Sequence, residues 1–80
     1  MGPRIHVAGL SPTTTAQQLH ELCAPYGIVT LASVIRSRKT GQRVGCGFVE
    51  MASPEEAEEV IAVLNGTQLD GQTLSVFCAP

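Results

Sequence analysis

In the stretch RVGCGFVE, Arg43 to Glu50, a thiol, an aromatic ring and a carboxylate recur at every second position, as Cys46, Phe48 and Glu50. A fourth group of this kind, His6, stands in IHVAGL near the start. Imidazole, thiolate and carboxylate serve thiol catalysis and metal binding alike, and Gly45 and Gly47 invite comparison with a phosphate-cradling loop. Each chemistry makes a demand. A Walker loop needs Lys and a hydroxyl after its second glycine, and a dinucleotide fingerprint needs a third glycine opening a helix; neither follows here. The three cysteines, Cys23, Cys46 and Cys78, are odd in number and widely spaced, with no C-x-x-C pair. Thiol catalysis also needs an enclosed pocket and an oxyanion-binding turn. Alternation around Cys46 and Phe48 describes instead an extended strand that displays every second residue on an open face. No catalytic residue, metal site or cofactor is expected.

The elements that position these residues follow from periodicity. Ile5 to Leu10 is a short β-branched strand broken by SPTTT. In TTTAQQLHELCAPYG, Thr15 and Gln18 have capping-box spacing, and Leu19, Leu22, Cys23 and Tyr26 recur at helical intervals until Pro25 and Gly27 end the helix. Tyr26 is assigned to the core and His20 to solvent. IVTLASVI, residues 28 to 35, is a strand apolar at too many positions to assign one inward face. A basic turn, RSRKTGQR, joins it to a strand from Val44 to Met51. SPEEAEEVIAVLNG supplies Ser53 as N-cap, Pro54 in the first turn, Glu56 closing a capping box, Ala57, Val60, Ile61 and Leu64 as a buried stripe, and Asn65-Gly66 as terminator. QLDGQTLSVFCA carries an Asp70-Gly71 turn into a last strand, with Leu74 and Val76 on one side and Ser75 and Phe77 on the other.

The order is βαββαβ. Right-handed crossovers place both helices on one face of a four-stranded antiparallel sheet, the α+β split-βαβ or ferredoxin-like arrangement. With the first and third strands adjacent at the centre, Ile5, Val7, Gly47, Val49 and Met51 face the helices. His6, Cys46, Phe48 and Glu50 share the bare face. Gly45 and Gly47 are then read as thinning the covered side of the strand so that a helix packs close. Eighty residues form one domain, with its core at about residues 4–78, burying about 60% of the unfolded chain's surface. No apolar run approaches the roughly 18 residues that span a bilayer, the start lacks a signal-peptide core, and unpaired cysteines suit a reducing compartment. A soluble intracellular monomer is expected, cytoplasm and nucleus not being distinguished.

IHVAGL and VGCGFVEM resemble the hexamer and octamer of the RNA recognition motif family, and the likeness extends over essentially the whole chain, including the basic hairpin and the LNG that ends the second helix. The resemblance implies a non-enzymatic module for single-stranded RNA. In the family, aromatic rings at the hexamer's second position and the octamer's third and fifth positions stack on bases and sugars. Those positions are His6, Cys46 and Phe48. Phe48 carries the role over directly, His6 retains a planar ring, and Cys46 cannot stack; Phe77 on the last strand is a fourth candidate. Val44 stands where the octamer opens on a basic residue.

Net charge is −2, yet Arg36, Arg38, Lys39 and Arg43 gather in the hairpin beside the bare face, with Arg4 at the first strand's entrance. Glu21, Glu55, Glu56, Glu58 and Glu59 lie on the helices behind. Segregation leaves a positive rim for phosphates. The alternative is a protein-binding member of the same family that works through its acidic helical face, with weak or no RNA binding.

Overall fold

The computed structural model describes residues 3–78, the side chain of Arg43 excepted. Strand β1, Arg4–Ala8, leads to helix α1, Ala16–Cys23, and a 3-10 turn at Ala24–Tyr26. Strands β2, Val29–Arg36, and β3, Arg43–Met51, form the hairpin, and helix α2 spans Pro54–Leu64. Two short strands, β4 (Gln68–Leu69) and β5 (Gln72–Thr73), precede β6, Ser75–Cys78. The main sheet runs β2-β3-β1-β6 with every pairing antiparallel. This is the split-βαβ arrangement, with β1 and β3 at its centre.

Local chemistry explains the boundaries. Thr15 accepts the Gln18 amide at 3.1 Å while the Gln18 side chain accepts the Thr15 amide at 2.9 Å, so the first capping box closes at both ends. Ser53 accepts the Glu56 amide at 3.3 Å, but the second box is only half formed. The Glu56 side chain lies over Gly27, where an added Cβ would collide with it, and one of its carboxylate oxygens is buried without a hydrogen-bond partner. At the other end of α2, Asn65 Oδ1 accepts the Val76 amide at 3.0 Å and so ties the helix terminus to β6.

The core lies between the sheet and the helices. Ile5, Val7, Val49, Met51 and Val76 meet Leu19 and Cys23 of α1 and Ala57, Val60 and Leu64 of α2. Ile61, Leu22 and Tyr26 pack against this cluster while partly exposed. Each large side chain so buried contributes about 1.5–3 kcal/mol.

Three details add to or depart from the expectation. The Asp70-Gly71 turn is present, but it does not lead directly into the last strand: Asp70 (φ 53°) and Gly71 (φ 78°) close a two-residue loop between β4 and β5, a separate two-stranded sheet, and β6 begins only at Ser75. Both central residues at positive φ make the turn whose twist suits a hairpin. In β2, Val29 faces Met51 and Leu31 faces Glu50, so β2 carries one residue more than its partner. That bulge reverses the parity: Val29, Ala32 and Val34 pack on the core, whereas Leu31 and Ser33 share the outer face with Glu50 and Phe48. No single alternation could have described the strand. Gly45, finally, does not make room for a helix. At φ 83° it forms a second irregularity in β3, and its carbonyl accepts the Leu10 amide at 2.8 Å. Gly47 does serve close packing, since a Cβ there would strike the Ser33 carbonyl and come within 3.2 Å of Leu19 Cδ2.

Candidate functional site

The register of the sheet sorts the outer face into rows, because directly opposed residues on neighbouring strands project to the same side. One row is Ser33, Phe48, His6 and Phe77, running across all four strands. The next holds only small groups: Cys46, Ala8 and Ser75. On the opposite side of the ring row come Leu31, Glu50 and Arg4.

Within the ring row, His6 and Phe77 have centroids 5.5 Å apart with planes inclined by 32°, inside the range of favourable ring pairs. Phe77 is 47% exposed. Phe48 is half-buried, and what shields it is Arg4, whose guanidinium carbon lies 4.5 Å from the ring centroid. The same guanidinium reaches Glu50, Nη2 to Oε2 at 3.8 Å. Charge over an exposed ring face contributes about 0.5–1 kcal/mol, and a partly exposed ion pair about 0.2–1 kcal/mol. Arg4 is thus held, but lightly.

This arrangement was only half readable in advance. Sequence places Arg4 at the strand entrance, not over a ring; its parity with His6 was the available signal, and its position opposite Glu50 comes from the register. His6, Cys46 and Glu50 share the face but do not converge. Cys46 and Glu50 are four residues apart on one strand, roughly 13 Å, with His6 between them, and among the described residues no cluster of three His, Cys, Asp or Glu side chains is disposed to hold a metal ion.

The cationic loop, residues 37–42, is internally braced. Ser37 donates its amide to the Gln42 carbonyl at 2.8 Å and accepts that of Gly41 at the same distance, and the Ser37 hydroxyl accepts the Lys39 amide at 3.2 Å. Arg38 and Lys39 project into solvent. Arg36 is also exposed, but Nη1 turns back to the Gly41 carbonyl at 3.5 Å. The side chain of Arg43 lies outside the described residues, although its backbone pairs with Arg36.

The three thiols are free and differ in chemistry. Burial pushes Cys23 from 9.0 up to about 11, because the interior disfavours a thiolate. Cys46 is half-buried on the outer face and Cys78 is exposed. On the helical side, a cleft of about 300 Å³ is lined by Thr14, Gln18, Glu21, Leu22, Leu69 and Asp70. Among the described residues no helix is long and apolar enough to cross a membrane.

Residues 5–75 match the family model described as RNA recognition motif. The glycine-rich RNA-binding protein 1 of Mycosarcoma maydis is 38% identical over 79 residues, covering 99% of this chain and 45% of the relative. The chain spans less than half the length of the curated relatives it matches. Among solved structures, the RNA binding protein PG1 superposes with a TM-score of 0.93 at 36% identity, covering 98% of this chain and 94% of that one. A Sex-lethal protein–RNA complex superposes at 0.88 with 35% identity, covering 95% of this chain and 47% of that one.

Proposed function

The chain belongs to the RNA recognition motif family, and from that premise we propose that the outer face of its sheet binds single-stranded RNA of two or three nucleotides. Phe48 stacks on one base and the His6–Phe77 pair on another. Arg38, Lys39, Arg36 and Arg43 engage the phosphates from the hairpin. Cys46 adds no ring, and at about 1–3 kcal/mol for each stacked base its presence makes the isolated module a modest binder. It acts by binding and performs no chemistry, within an intracellular compartment.

The observation that carries this reading is the ring row on β3, β1 and β6, on the side of the sheet opposite the helices. Flat, partly exposed rings in register across strands offer π-faces to bases whatever their sequence. Relatives named for RNA binding support it further. The helical face offers exposed carboxylates instead, at Glu21, Glu55, Glu58 and Glu59, which disfavour a polyanion there, and no observation raises a helix-side protein partner above RNA.

Titration with a pool of short mixed-sequence RNAs, followed by amide shifts, tests the reading. Shifts are expected along β1, β3 and β6 and at the hairpin. Shifts confined to α1 and α2 would reject it.

A further inference from the structure

We propose that Phe48 and Glu50 form a guanine-preferring subsite, in which Arg4 is the internal occupant that a guanine base displaces. The proposal rests on the RNA-platform reading and adds base selectivity to it. A guanidinium is planar, delocalised and rich in N–H donors. That of Arg4 satisfies two conditions at once: it lies 4.5 Å over the Phe48 ring and 3.8 Å from the Glu50 carboxylate. Few other groups meet both.

Glu50 is two residues from Phe48 on the same side of β3, roughly 7 Å along the strand, which is about the half-width of a base stacked on the ring plus one hydrogen bond of roughly 2.9 Å beyond its edge. The two partners are unequally held. The Glu50 side chain is 17% exposed and that of Arg4 47%, so the carboxylate is set into the surface and the guanidinium lies over it, open to solvent. A base stacking on Phe48 must move Arg4 aside. Doing so strips Glu50 of its cation, a cost that depends on what the base edge presents in exchange.

Guanine presents two adjacent donors, N1–H and N2–H, which pair with a carboxylate as a guanidinium fork does. Adenine and cytosine set an acceptor nitrogen beside their amino group, and uracil flanks its single N–H with carbonyls. Each of these three brings an acceptor against an acceptor-only carboxylate. Arg4, once released, is free to meet a phosphate.

Anisotropy of labelled uridine pentanucleotides carrying one central guanine, adenine, cytosine or inosine is the test. Guanine is expected to bind about ten-fold tighter than the all-uridine pentamer, as a paired-donor contact implies. Inosine, which lacks the 2-amino donor, should lose most of that advantage. Glu50→Gln should bring guanine to within about two-fold of the other bases in a protein whose cooperative melt shows that it remains folded, whereas Arg4→Ala should keep or widen the preference. Equal affinities across bases, a preference undiminished in Glu50→Gln, or its loss in Arg4→Ala would each overturn the proposal while leaving an RNA platform in place. Failure of folded protein to bind any pentamer would remove the platform itself.

Discussion

Cys46 is where this surface differs most from a complete stacking platform, and it does so without disturbing the strand. Its row is built from small side chains, with Ala8 and Ser75 as neighbours across β1 and β6, so there is room above it for a ring. Cys46→Phe is therefore expected to raise RNA affinity about ten-fold, and Phe48→Ala to lower it by about ten- to a hundred-fold, from the stacking free energy of one base. Fluorescence anisotropy with one oligonucleotide checks both, and an unaltered melting temperature separates them from folding effects. Cys23 behaves oppositely from a residue on a working surface. Its thiol, fully buried and raised from 9.0 to about 11, keeps its proton in the folded state after the unfolded chain has lost it. The folded protein then binds the extra proton, so stability falls as pH rises through the interval from 9 to 11, by up to about 1.4 kcal/mol per unit. Denaturant midpoints measured below pH 9 and again near 11 should show the decline, and Cys23→Ala should flatten it. In native protein a thiol reagent should modify Cys78 promptly and leave Cys23 untouched.

Among the elements, β3 carries most of the constraint, since it supplies two core side chains, one outward ring and two glycines with separate reasons. Gly47 has no space for a methyl group: Leu19 and the β2 backbone occupy it. Gly47→Ala should cost roughly 1–3 kcal/mol by overpacking, read as a lowered denaturant midpoint with the slope unchanged. The same strand shows what a sequence makes legible. Alternation along β1, β3 and β6 gave both faces, because each crosses the sheet without an interruption where the rings stand. The N-cap of α1 was also readable, since Thr15 and Gln18 close their box entirely within one turn of chain. What escaped was set by partners distant in sequence. The bulge at Thr30 depends on register with β3, where its hydroxyl donates to the Glu50 carbonyl at 3.1 Å. Glu56 leaves its cap for a surface that Gly27 supplies, and Gly45 answers to the Leu10 amide. At the site, ring positions were legible from parity, whereas Arg4 lying over Phe48 required the β1–β3 register as well as the length of its side chain.

At the scale of the whole molecule, an acidic protein is asked to hold a polyanion, and size resolves the contradiction. The principal extents are 36, 27 and 22 Å, while charges in physiological salt are screened over about 8 Å. Glutamates on α1 and α2 therefore act on solvent behind the sheet and only feebly on a ligand in front of it. The net charge of −2 governs how the protein migrates; on the proposed reading, the hairpin governs what reaches the rings. If three or four cations of β2, β3 and their loop contact phosphates, the logarithm of affinity should fall against the logarithm of salt with a slope of roughly −2 to −3 for a single strand. Between 50 and 200 mM that is a loss of roughly fifteen- to sixty-fold. Arg38→Gln combined with Lys39→Gln, two exposed positions in a loop held by Ser37, should reduce the slope by about 1.4 and slow association, with little change in the melt. Neutralising the α2 acids Glu58 and Glu59 by Gln, which changes net charge by the same number of units as removing two cations but in the opposite sense, should leave the slope nearly where it was. A slope that followed net charge alone, moving by equal amounts for both pairs, would mean that ligand and hairpin do not meet.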